Sequence, residues 1–183
     1  MSSSTSFAVE YLKDILNQFH KLKRLADRAM AQISEKDFFA TLDDEANSIA
    51  LIMKHMAGNM GSRWTDFLIS DGEKPDRNRD SEFTIEDGET NAALIDRFEA
   101  GWQCLFSTIE SLTADDLAKT VQIRGEPHSV MEAINRQMTH YAYHVGQLVL
   151  LAKHARSSDW QSLSIPRGES QEFNAAMQKG REA

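Results

Sequence analysis

Apolar residues in the first part of the chain recur at alternating steps of three and four: Leu12, Ile15, Phe19, Leu22, Ala26, Ala29 and Ile33. That spacing places one apolar stripe along an α-helix. The pattern returns three times. Residues 48–68 carry it through Ile49, Ile52, Met56, Met60 and Phe67, and residues 91–112 through Leu94, Phe98, Trp102, Leu105, Ile109 and Leu112. The fourth stretch is the most regular, with Met131, Ile134, Met138, Tyr141, Val145, Leu148 and Ala152 following a capping box of Ser129 and Glu132. Pro75, Pro127 and Pro166 all lie outside these stretches, so no proline breaks a helix. No segment shows a strand pattern of comparable quality. Four helices that cannot hide their stripes alone predict an all-α fold, a four-helix bundle built as one domain over residues 1–183.

The connection between the second and third helices, 71–88 (DGEKPDRNRDSEFTIEDG), is too long and polar for a tight turn. An ordered loop over one end of the bundle is expected, either a lid or a solvated crossover. From Ser157 onward the chain contains SLSIPRG and shows no helical periodicity before about Glu169, so it is expected to run along the surface. Two short strings hint at an internal repeat. ISEKDF (33–38) and LTADDL (112–117) each put a capping Ser or Thr three residues before an Asp, and HMAGN (55–59) falls opposite HYAYH (140–144). Either a duplication relates two helix pairs, or amphipathic helices simply resemble one another.

Composition narrows the function more than the fold. Hydrophobic residues make up 41% and charged residues 26%, which suits a folded domain and excludes disorder. The net charge of −8 offers no basic excess to displace counterions, so neither nucleic acid nor an anionic membrane is the expected partner, and a small-molecule ligand is. Cys104 is the single cysteine and cannot form an internal disulfide; it is read as a core residue. The start, MSSSTSFAVE, lacks the basic residues and apolar stretch of a signal peptide, and no apolar run reaches the roughly 18 residues of a membrane span. A cytoplasmic location is expected.

The chemistry concentrates in the fourth helix. His140 and His144 stand four apart, which puts both rings on one face about 6 Å apart along the axis. They fall in a stripe with Ala133, Gln137, Gln147 and Leu151, beside the apolar seam, where two imidazoles can share one ion. A third ligand has to come from elsewhere. His154 lies ten residues beyond His144, about 15 Å along the helix, and His128 is further from His140, so neither reaches the same ion. His20 shares its face with Lys13, Asn17, Arg24 and Asp27 and reads as solvated. His55 follows Leu51 and Ile52 by one turn at the core boundary of the second helix, so it is the best third ligand from a neighbouring helix. A histidine at such a boundary can also be a satisfied core residue; the pair across the bundle favours the ligand role.

A histidine in the second helix with a late HxxxH in the fourth resembles the DinB-like superfamily of metalloenzymes. The strings KHMAGNMGSRWTDFL, DGEKPDR, RGEPHSV, HYAYHVGQ and SIPRG, spanning residues 54–168, are similar to one branch of it known mainly as a domain of unknown function. The resemblance implies a four-helix bundle of the DinB-like type with a long loop between helices 2 and 3. It also implies a homodimer, and a divalent ion held by the positions of His55, His140 and His144. Relatives elsewhere in the superfamily transfer a low-molecular-weight thiol, such as bacillithiol, mycothiol or glutathione, onto an electrophile.

Three neutral imidazoles leave the charge of a divalent ion uncompensated, which favours an incoming thiolate or hydroxide. Zinc, nickel, iron or manganese would suit the site. Asn59 and Arg63, one and two turns after His55, and Arg136 and Gln147 around the pair are candidate substrate-binding residues, with Arg63 or Arg136 able to grip a carboxylate. Three functions follow: a metal- and thiol-dependent S-transferase; a metal-dependent hydrolase in which the ion activates water; or a non-catalytic metal-binding and dimerisation protein.

Overall fold

The computed structural model describes residues 3–182. Helices α1 (Ser3–Met30), α3 (Ile49–Trp64), α4 (Asn91–Ser111) and α5 (Val130–Arg156) are long; α2 (Glu35–Phe39) and α6 (Ser170–Glu182) are shorter. Strands β1 (Thr120–Ile123) and β2 (Glu126–Ser129) form a two-stranded antiparallel sheet. The described residues are therefore mostly helical with one small hairpin. α1 packs on α5 and α3 on α4, and contacts of α3 with α5 and of α1 with α4 bring the four long helices around one core. Phe19, Met56, Trp64, Phe98, Trp102 and Tyr141 fill it without measurable exposure beyond 1%. Among the described residues no helix is long and apolar enough to cross a membrane.

The helix starts follow from capping. Ser48, Thr90 and Ser129 each adopt extended backbone and accept a hydrogen bond from the backbone N–H three residues on, and Glu132 completes the box expected at α5. The paired strings ISEKDF and LTADDL behave alike: Ser34 with Asp37 and Thr113 with Asp116 both form capping boxes. α3 ends earlier than its periodicity suggests. Asp66 takes a left-handed conformation (φ 50°), which turns the chain out of the helical path, while Phe67 remains buried in the core. Likewise α1 stops at Met30, yet Ile33 still packs against the core from the turn beyond.

The hairpin is a correction to the expectation of helices alone. Its strands are four residues each, too short for a periodicity signal, and the signal that does exist is the turn. Arg124 and Gly125 both have positive φ, 57° and 75°, the conformation of a two-residue type I′ turn. Pro127 pairs with Gln122, one step from the closing pair Ile123 and Glu126, so it occupies a non-hydrogen-bonded position where a missing N–H is harmless. The outward carbonyl of Gln122 accepts the N–H of Gly72 at 2.8 Å and ties the hairpin to the long loop.

That loop is fastened to α3. Lys54 donates to Glu89 at 2.7 Å and to the Thr84 carbonyl at 2.8 Å, Ser62 donates to the Gly72 carbonyl at 2.8 Å, and Arg63 pairs with Glu73 at 2.9 Å. A 3-10 turn at Asp80–Phe83 packs directly on α3. α3 is thus covered on several sides, which explains why Lys54, His55, Asn59, Ser62 and Arg63 are all buried in one helix. Residues 71–88 do not join separated helices, since α3 and α4 pack directly on each other, and these contacts pin the loop although more than half of its residues stay exposed. The chain after Ser157 runs along α1, where Arg28 and Gln32 hydrogen-bond the backbone of residues 161–163.

Candidate metal centre

His140 and His144 stand one turn apart on α5, flanked by Tyr141 and Val145, which belong to the core. Their rings therefore leave the core at its edge, facing α3. His55 meets them from α3, lodged between the core and the 3-10 turn, with its ring 4.9 Å from that of Phe83. The three side chains converge: His55 Nε2 lies 3.3 Å from His140 Nε2, and His144 Nε2 lies 3.1 Å from the same atom. One ring nitrogen from each of the three falls within 4.8 Å of the others.

Hydrogen bonds on the far side of two rings decide where their protons are. Burial opposes ionisation of Glu82, but hydrogen bonds from His55 and Arg77 and the Arg77 charge outweigh it and hold the carboxyl below its ordinary range. An ionised carboxylate only accepts, so His55 Nδ1–H donates to Glu82 Oε2 at 2.9 Å and leaves a lone pair on Nε2. Gln147 Nε2 donates to the Tyr143 hydroxyl at 3.1 Å, which turns its Oε1 to accept from His144 Nδ1–H at 2.8 Å. His144 likewise presents a lone pair inward. His140 is pushed down to about 3, first by burial and then by the neighbouring charges of His144, His55 and Arg136. Burial lowers His144 as well, against the opposing hydrogen bond of Gln147.

Two inward lone pairs and a neutral third imidazole make a cluster that repels itself. A single proton on His140 Nε2 satisfies only one neighbour, whereas a cation satisfies all three. Two of the three separations, 3.3 and 3.1 Å, fit as well, because ligands about 2.0–2.1 Å from a tetrahedral ion stand roughly 3.3 Å apart. A carboxylate behind one ligand and an amide behind another are the partners that metal-bound histidines use to fix tautomer and ring orientation.

Beside the histidines opens a cavity of about 430 Å³. Of the candidate substrate-binding residues, Asn59, Arg63 and Arg136 line it together with His55 and His140. Gln147 does not line it and serves His144 instead. Asn59 accepts a hydrogen bond from the Tyr141 hydroxyl at 2.9 Å, which fixes its side chain. His20 is not solvated as expected but stacks on Phe106 at 4.1 Å, away from the cluster. Cys104 packs against the core and is half-buried.

Sequence reasoning missed Glu82, Arg77 and Glu73. Arg77 donates to Glu82 at 2.8 and 2.9 Å and to Glu73 at 3.2 Å, linking the loop to the histidines. The available signal was chemical: a liganding histidine needs an acceptor behind it, and the adjacent acidic loop was the place to seek one. Nothing in the spacing singles out Glu82 among the acids of residues 71–88. No curated protein matches this sequence. Residues 6–169 match the model described as "Protein of unknown function (DUF1572)", and the chain belongs to that family.

Proposed function

We propose that this protein is a divalent-metal-binding four-helix bundle of the DinB-like type that transfers a low-molecular-weight thiol onto an electrophile. The observation that carries the reading is the convergence of His55, His140 and His144 on one point at the edge of a cavity. Those three residues hold the ion. Bound there, a divalent ion supplies Lewis acidity that lowers the pKa of a thiol entering its open positions.

The chain's own residues do the rest. Glu82 and Gln147 hold His55 and His144 with their Nδ1 protonated and Nε2 free. Arg63 and Arg136 place guanidinium groups on the cavity wall, where they grip the carboxylates that glutathione and bacillithiol carry and mycothiol lacks. The long loop shields the buried side of the site from water through Glu82 and Phe83. Transfer against hydrolysis is favoured by the lining itself: among the described residues that border the cavity there is no Asp or Glu to serve as a base for water.

Purified untagged and without chelator, the protein is expected to carry close to one equivalent of zinc, nickel, iron or manganese by elemental analysis. Glutathione, mycothiol or bacillithiol is then expected to change the visible spectrum of the cobalt-substituted protein. Absence of metal even after reconstitution overturns the reading. Metal without a spectral response to any of the three thiols rejects the transferase and leaves a structural or sensory ion.

A further inference from the structure

Five of the chain's eleven arginines, and none of its nine lysines, line the cavity beside the histidines: Arg63, Arg77, Arg79, Arg124 and Arg136. They come from α3, the long loop, the hairpin turn and α5, segments far apart in sequence. A chain with net charge −8 has no general surplus of positive charge to scatter there. Two carboxylates serve this group. Glu73 is shared by Arg63 at 2.9 Å and by Arg77 and Arg124 at 3.2 Å, and Glu82 is shared by Arg77 and His55. Arg79 and Arg136 have no ion pair among the described residues; Arg79 rests on the Phe83 ring at 5.0 Å. Asp71 adds a third carboxylate near Arg63, held by the backbone N–H groups of Glu73, Arg124 and Gly125, so five guanidinium groups leave an excess of two positive charges.

The wall also holds unused hydrogen-bonding capacity, since the exposed Arg79 and Arg136 make no side-chain hydrogen bond among the described residues. The choice of Arg over Lys matters too. A planar fork binds carboxylate and phosphate oxygens in pairs, whereas an ammonium acts as a point charge.

We infer that this cavity binds a small organic anion carrying two or more negative charges on carboxylate or phosphate groups, gripped by Arg79, Arg124 and Arg136 around the buried Arg63. The volume of about 430 Å³ lies in the range of small-molecule sites. The inference deepens the proposed function by naming the class of one reactant, and rests on that reading only for placing the anion next to a metal. The arginine site itself stands on charge and geometry.

The test is isothermal titration of the full chain, with metal stripped and with metal restored, using tricarballylate, succinate, inorganic phosphate and glycerol 3-phosphate, with acetate as the single-charge control. At least one multiply charged probe is expected to bind saturably at one site, about tenfold or more tighter than acetate and more weakly as salt rises. Preference for the carboxylates identifies an organic acid, and preference for the phosphates a phosphate ester. The R79Q/R136Q variant is expected to lose about tenfold or more in affinity, while R24Q, an exposed arginine on α1, keeps it. No saturable binding by any probe, or equal affinity in R79Q/R136Q, overturns the inference. Metal binding without anion binding sinks this site alone. Anion binding by a chain that takes up no metal sinks the proposed function and leaves the arginine site standing.

Discussion

Glu82 lies across the bare Cα of Gly58: a Cβ built on Gly58 would sit 2.8 Å from Glu82 Cδ, too close for carbon atoms to remain. Gly58 follows His55 by three residues on α3, so the carboxylate that presses on the glycine is the one that holds His55 Nδ1. Glycine within a helix is about 1 kcal/mol less favourable than alanine, and here the close approach of Glu82 accounts for it. Gly61, one turn on, meets nothing within 4 Å of an added Cβ and has no such reason.

The two glycines should therefore respond in opposite ways. Gly58→Ala pushes Glu82 off His55, and loss of such a partner behind a liganding histidine lowers metal affinity about 10–100-fold. Gly61→Ala leaves the site untouched and stabilises the protein by about 0.5–1 kcal/mol through helix propensity. Competition with a chromophoric chelator and thermal melts of both variants measure these effects. Equal metal affinity in Gly58→Ala and the parent would show that Glu82 does not act through His55.

Alanine at His55, His140 or His144 is expected to abolish stoichiometric metal, because each supplies one of three nitrogens and two imidazoles alone hold a zinc-like ion poorly. His154→Ala is expected to keep both metal and stability. His20→Ala separates the two readouts: it keeps metal but melts lower, since its ring stacks on Phe106. Elemental analysis of the five purified variants is the measurement, and equal metal in all five would remove the site.

The helices and the histidines were legible in the sequence for the same reason: both rest on local spacing. The steps through Met131, Ile134, Met138 and Tyr141 define α5, and His140 and His144 inherit their common face from it. His55 could be chosen by elimination, because the other histidines were out of reach along their own helices or read as solvated. What could not be read depends on chain segments meeting across space. Glu82 touches His55 at a separation of 27 residues through a loop without periodicity, and Arg124 reaches the cavity only because a hairpin of two four-residue strands turns there. Gln147 was placed beside the histidine pair, but its amide oxygen accepts from His144, its neighbour along the helix, and it does not line the cavity.

Asp116 sets up a pH test away from the histidines. Hydrogen bonds from Lys119 and from the side chain and backbone of Thr113 lower its pKa from 3.8 to about 2. A carboxyl whose folded pKa is depressed contributes stability above its unfolded pKa and loses it as pH falls toward the folded value. Asp116→Asn, which keeps one acceptor oxygen but not the charge, is expected to melt about 2–4 °C lower at neutral pH, the size of a lost cap in a chain of this length. Calorimetry from neutral pH downward should show the gap closing between 3.8 and about 2. A gap unchanged at the acid end would mean that the carboxylate charge contributes nothing to this cap.

The buried hydroxyl of Tyr141 joins the core to the cavity. It accepts from Trp64 Nε1 at 3.0 Å and donates to Asn59 Oδ1 at 2.9 Å, and the whole side chain is fully buried. Tyr141→Phe keeps the ring and its packing but leaves the buried indole N–H of Trp64 without its acceptor and the Asn59 amide oxygen without its donor. Leaving buried groups unsatisfied costs about 1–3 kcal/mol, so the urea midpoint should fall at an unchanged slope. Metal content should stay near that of the parent, because none of the three histidines hydrogen-bonds Tyr141. Asn59, freed from its donor, lines the cavity in more than one orientation, so ligand affinity should weaken while the metal remains. A midpoint equal to the parent's would show that the Trp64–Tyr141–Asn59 chain adds nothing to stability, and loss of metal would show that Tyr141 acts on the histidines after all.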